Sequence, residues 1–186
     1  RVIEEGSGRE ITEGSPVLVA ITAFDASSGR MLSESGRPQM SLGIVGSDEI
    51  NSDLAMLVTG KREGSRILAF RTITMGDGSP NAMEIDVVDI LPSIATGTSV
   101  DATVGPMSVE MSPEGPLISH ISTLPGGVTT QALIKGDGVQ VHEGDRVVAQ
   151  FTVVGWTDGV VRVSTWETGV PAVVNLNTAM KGLANT

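Results

Sequence analysis

The sequence predicts an α+β protein: an antiparallel sheet crossed by one short helix, present in two tandem copies joined by a linker. Three observations carry that expectation. The chain matches itself at an offset of 130 residues. Its first copy contains several strand-length runs, some of them alternating apolar and polar residues. One stretch, Ile50 to Val58, instead places its apolar residues at helical spacing.

The self-match sets Gly6 and Gly8 on Gly136 and Gly138, and Glu13-Gly14 on Glu143-Gly144. Val17, Thr22 and Gly29 fall on Val147, Thr152 and Gly159. After a short insertion, Gly36 and Pro38 fall on Gly169 and Pro171, and the match runs on to Leu54 and Leu183. Repeats are sought first because overlooking one misassigns the whole fold.

In order along the first copy, Val17 to Thr22 reads as a half-buried strand. Ser27-Ser28-Gly29 is a hairpin turn, matched by the stronger Asp-Gly signal of Thr157-Asp158-Gly159. Ile50, Leu54, Leu57 and Val58 then mark a helix, with Asn51 or Ser52 as its N-cap and Gly60 at its end. Arg66 to Phe70 and Ala82 to Leu91 are two further strands; in the second, Met83, Ile85 and Val87 face opposite to Glu84 and Asp86. The expected divisions are residues 1–92, a linker over 93–130, and the beginning of the second copy over 131–186. The linker is rich in Thr, Ser, Gly and Pro, and two strand-like pieces, Met107 to Met111 and Leu117 to Ile121, make a hairpin within it the expectation.

A net charge of −10 argues against nucleic acid, whose binding needs Lys and Arg to displace phosphate counterions. The absence of Cys excludes disulfides and thiolate chemistry, and His120 and His142 make no metal constellation. No apolar run approaches the roughly 20 residues that cross a bilayer. Asp48-Glu49 and Asp86 with Asp89 read as solvated surface. Gly6-Ser7-Gly8 precedes a strand and so does not cradle a phosphate. No cofactor is implied. Arg1-Val2-Ile3 opens as though inside a domain, which leads to the expectation of a natural start further upstream.

Gly6-Ser7-Gly8 followed by Glu13-Gly14-Ser15, the segment Val58 to Arg66, and the strand Met83 to Leu91 together resemble an FKBP-type peptidyl-prolyl isomerase domain. Leu133 to Gly138 and Gly155-Trp156-Thr157-Asp158-Gly159 resemble the family in the second copy, which stops partway at Thr186. The layout is similar to that of certain bacterial envelope proteins, and the resemblance implies an extracytoplasmic location. It also implies prolyl isomerisation, in which an apolar cleft lowers an amide barrier of about 18–20 kcal/mol without nucleophile or metal.

The family lines that cleft with aromatic rings. Here Ile21 stands at the first Tyr position, Leu32-Ser33 at a Phe-Asp pair, and Leu54 at the Trp, while the loop 75–80 has no Tyr. Ile50 matches the residue whose backbone N–H meets the substrate carbonyl. In the second copy Phe151 partly keeps the first position, Arg162-Val163 replace the Phe-Asp pair, Met180 parallels Ile50, Leu183 replaces the Trp, and the family's equivalent of Trp166 flanks the hairpin whose turn segment contains Trp156. The resemblance therefore implies a substrate-binding set of Ile21, Leu32, Ile50, Leu54, Phe151, Trp156, Met180 and Leu183, with no catalytic side chain. Core packing and a shallow aliphatic cleft remain alternative readings of these residues. The implied partners are proline-containing peptides or unfolded clients. The leading function is an isomerase with a weak first domain, and the alternative is a non-catalytic peptide-binding or chaperone module. The incomplete second copy leads further to the expectation of strand exchange between chains.

Overall fold

The structure, a computed structural model, describes all residues except 34, 75–81, 101–106, 113, 143 and 180–186. The chain divides into two compact units, Arg1–Ser93 and Ile94–Thr186.

The first unit is a five-stranded antiparallel sheet with one helix. Its strands are β1 (Val2–Glu4), β2 (Pro16–Asp25), β3 (Gln39–Ile44), β4 (Arg66–Ile73) and β5 (Ala82–Leu91), in the spatial order β1-β4-β5-β2-β3. The helix, α1 (Ser52–Val58), begins where the Asn51 side chain accepts a hydrogen bond from the Leu54 N–H at 2.9 Å. It ends where the Thr59 hydroxyl donates back to the Ala55 carbonyl at 2.7 Å, after which Gly60 takes a φ of +74°.

The core forms between this helix and one face of the sheet. Cross-strand partners share a face, and the register sets Val19 opposite Ile90, with Val88 opposite both Ile21 and Ile67. These side chains pack with Ile11, Val17, Val45, Ile50, Leu54 and Val58. A helix of seven residues spans about 10 Å, whereas the ten-residue β5 spans about 33 Å. The helix therefore covers only one end of the strand, the Val88–Ile90 end, and the Ala82–Asp86 end of the same face is left for polar residues.

The second unit consists of two-stranded antiparallel ribbons: β6 (Thr98–Ser99) with β9 (Ile134–Lys135), β7 (Met107–Ser112) with β8 (Gly115–His120), β10 (Arg146–Ala149) with β13 (Ala172–Asn175), and β11 (Thr152–Val154) with β12 (Val161–Ser164).

The expectation of an α+β fold in two tandem copies is overturned. Strand is the main regular structure of the described residues, the one described helix has seven residues, and the described residues of the second half form several small two-stranded sheets rather than part of a second copy of the first unit's sheet. The physical reason lies at Gln150 and Phe151, in the stretch aligned with the middle of β2. The Thr165 hydroxyl accepts from the Phe151 N–H at 2.9 Å and donates to the Gln150 side-chain carbonyl at 2.5 Å. A side chain thus takes a main-chain donor out of the ladder, and the strand breaks into β10 and β11, which pair with different partners. The likeness between the halves is local. In one turn Asp25 N–H bonds Arg30 O and Gly29 N–H bonds Asp25 O; in the other Gly155 N–H bonds Val160 O and Gly159 N–H bonds Gly155 O.

Candidate functional site

Ile50 and Leu54 lie in the core of the first unit, 3% and 6% exposed. Ile21 is half-buried and packs against that core from β2. The Ile50 N–H donates to the Ser47 carbonyl at 3.3 Å. Leu32 lies apart from these three, 37% exposed, on the segment that returns from the first hairpin turn, where its N–H bonds the Ala23 carbonyl. The structure thus brings Ile21, Ile50 and Leu54 together as packing residues, with Leu32 outside the group.

Beyond Ile21 and Val88 the helix-side face turns polar. Asp86 stands between Ala23 and Ala69 in register, and Glu84 between Asp25 and Arg71. Arg71 pairs with Glu84 at 2.6 Å and with Asp86 at 3.5 Å. The Asp86 side chain is only 13% exposed and its Oδ1 is buried without a hydrogen-bond partner among the described residues. Burial pushes its carboxyl above the ordinary range, against the pull of Arg71 and with a push from Glu84. The reading of Asp86 as solvated surface is therefore corrected: strand alternation puts it on the helix-side face, and the signal was available in the Val88 and Ile90 parity. At the neighbouring turn, hydrogen bonds from Ser27 and Ser28 hold the exposed Asp25 carboxyl down at about 2.

The opposite face of the sheet carries the most exposed apolar side chains of the first unit's strands. Phe70 and Phe24 both lie opposite Ile85, and Phe24 bridges to Met31. Four apolar side chains thus run in one row across the sheet, with Met83 beside them opposite Thr72. Phe70 is 65% exposed and Met83 53%. Sequence reasoning overlooked this row because its members come from four separate segments. The Met83-Ile85-Val87 alternation was its one visible trace.

In the second unit, Phe151 is half-buried at the strand break. Trp156 lies with its ring 4.4 Å from that of His120, and its indole N–H is buried without a hydrogen-bond partner among the described residues. Neither lines the groove of about 470 Å³ that this unit contains. Trp166, Pro116 and Val161 supply its apolar lining, Thr152 and Ser164 its hydroxyls, and Glu114 and Glu167 its charge. Met180 and Leu183 lie outside the described residues, as does the loop 75–80. Among the described residues no group of three or more His, Cys, Asp or Glu could hold a metal ion, and no helix is long and apolar enough to cross a membrane.

No family model matches the chain, and no curated protein matches it. Among solved structures, a multi-domain immunophilin from Arabidopsis thaliana is similar over 48% of this chain and 40% of its own, with 18% identity and a TM-score of 0.36. The chain thus spans well under half of that structure's length, and a likeness this slight carries no weight for activity.

Proposed function

We propose that this chain is a non-catalytic peptide-binding module with an FKBP-like frame, which holds extended apolar segments of client polypeptides without isomerising them. One observation carries the reading: the apolar row Phe70, Ile85, Phe24 and Met31, half-buried at Ile85 and Phe24 and exposed at its ends Phe70 and Met31, with exposed Met83 at its side, on the sheet face away from the helix. Thioether and aromatic side chains adapt to partners of varied shape, which suits a surface that takes many sequences. The residues that an isomerase cleft would need at the helix are instead aliphatic, and Ile50 and Leu54 are spent on the core.

Two measurements on the whole chain test this. In a protease-coupled prolyl isomerisation assay the chain should leave the uncatalysed rate unchanged, and acceleration would sink the non-catalytic reading. A reduced and alkylated, permanently unfolded model protein should bind, and Phe70→Ser with Met83→Ser should weaken that binding about tenfold, the effect of losing roughly 1.4 kcal/mol. Binding untouched by the double substitution would remove the row from the function.

A further inference from the structure

The groove of the second unit combines three features that together select a ligand class. The first is a fixed aromatic wall. Gly115 has a φ of +121°, and a Cβ there would stand 2.8 Å from the Trp166 Cγ, so the bare backbone of the β7–β8 hairpin packs directly on the indole. The second is a pair of carboxylates at that wall: Glu114 adjoins Gly115, Glu167 follows Trp166, and both line the groove. The Ser112 hydroxyl donates to Glu114 Oε2 at 3.1 Å, which restrains one of them. The third is that neither carboxylate has an ion-pair partner among the described residues, although Arg162 on β12 is nearby in sequence and pairs with Asp158 instead.

We propose that this groove binds the arginine side chain of an extended peptide. A guanidinium is planar, stacks on an indole face and forms paired hydrogen bonds to a carboxylate, so Trp166 and the two glutamates answer each of its properties. The methylene stem of the arginine would lie along Pro116 and Val161, as long cationic side chains do on apolar surface. A bare divalent cation fits less well, because calcium takes six to eight oxygen ligands and three of the seven lining residues, Trp166, Pro116 and Val161, have no side-chain oxygen. The chain's net charge of −10 favours the approach of a basic segment. This site is independent of the apolar row in the first unit, and either can fail without the other.

The test uses the whole chain and two blocked peptides, Gly-Arg-Gly and its counterpart with citrulline, the uncharged isostere of arginine. Binding is followed by the two indole N–H resonances in NMR. The arginine peptide should shift the Trp166 resonance saturably, and both the citrulline peptide and the Glu114→Gln/Glu167→Gln variant should bind at least tenfold more weakly. No saturable shift of Trp166 at millimolar arginine peptide would overturn the proposal, as would equal binding of the citrulline peptide. Should the double variant lose its fold, the citrulline comparison on the native chain still decides.

Discussion

Leu54 offers the sharpest test of whether the aliphatic positions near the helix are core or cleft, through Leu54→Ala. Leu54 is 6% exposed and packs in a cluster with residues such as Ile50 and Val58. Removing about three methylene equivalents forfeits roughly 2.4 kcal/mol of transfer free energy at about 0.8 kcal/mol each. The cavity left behind raises the loss toward the range of about 2.7–5 kcal/mol seen for buried leucines. Because α1 is short and can settle slightly toward the sheet, we expect about 3 kcal/mol. For a unit of this size that lowers Tm by about 12–24 °C. Urea and thermal unfolding followed by far-ultraviolet circular dichroism read the loss directly. A residue lining an open cleft would lose little, since water already reaches it. A cost below about 1 kcal/mol with an unchanged denaturant slope would refute the core assignment and return Leu54 to a binding surface.

Further outcomes follow from the charged groups. Arg9 pairs with the buried Glu63 at 3.0 Å, and Ser93 donates to the same carboxylate oxygen at 2.7 Å. Arg9→Ala strands that carboxylate; breaking a buried pair costs about 3–5 kcal/mol, and since the Arg9 side chain is 38% exposed, water offsets part, leaving about 2 kcal/mol in urea unfolding. Asp25 has a depressed carboxyl, so its contribution to the turn is present above the unfolded carboxylate range and is lost as pH falls toward about 2. Its side-chain carbon resonance should titrate with a midpoint near that value, and a midpoint in the ordinary range would break the link to Ser27 and Ser28. Asp86 behaves oppositely: burial raises its carboxyl, so its ionised form weighs against the fold as pH rises through the raised value. Asp86→Asn should therefore stabilise the chain at neutral pH, with the gain fading on acidification into the range where the native carboxyl is already protonated. A gain that does not depend on pH would point to packing rather than charge.

The helix and three of the five strands of the first unit, β2, β4 and β5, were legible because their signals are local, whereas β1 and β3 were not read from the sequence. Asn51 caps α1 as its residue type suggests, and the run Ala82 to Leu91 is strand β5 throughout. Which face of β5 meets the core was not legible from alternation alone. The apolar parity changes between Val87 and Val88, so each face is apolar at one end, and only the reach of the helix decides which end is covered. The second half misled for a different reason. Its match to the first half is carried by turn glycines and by apolar residues that suit a ribbon as well as a wide sheet. The break at Gln150 and Phe151 depends on a hydroxyl at Thr165, 14 residues beyond Phe151. Of the candidate site, the aliphatic positions were readable as residues but not as packing, and the groove beside Trp166 depends on a contact with Gly115 across 51 positions that no motif announces.

The strand order of the first unit has a consequence for how the chain acquires its shape. β5 alone joins the β2–β3 pair to the β4–β1 pair, and it is the last strand of the unit to be made. Until β5 has been synthesised, the β2–β3 hairpin and the β4–β1 pair have no strand between them, and Val19 and Ile67 lack their partners Ile90 and Val88. Closure then demands pairing between β2 and β5 residues 59 to 73 positions apart, a high contact order that slows folding and lengthens exposure to aggregation. Substitutions in β5 should accordingly slow refolding more than equally destabilising ones in β3.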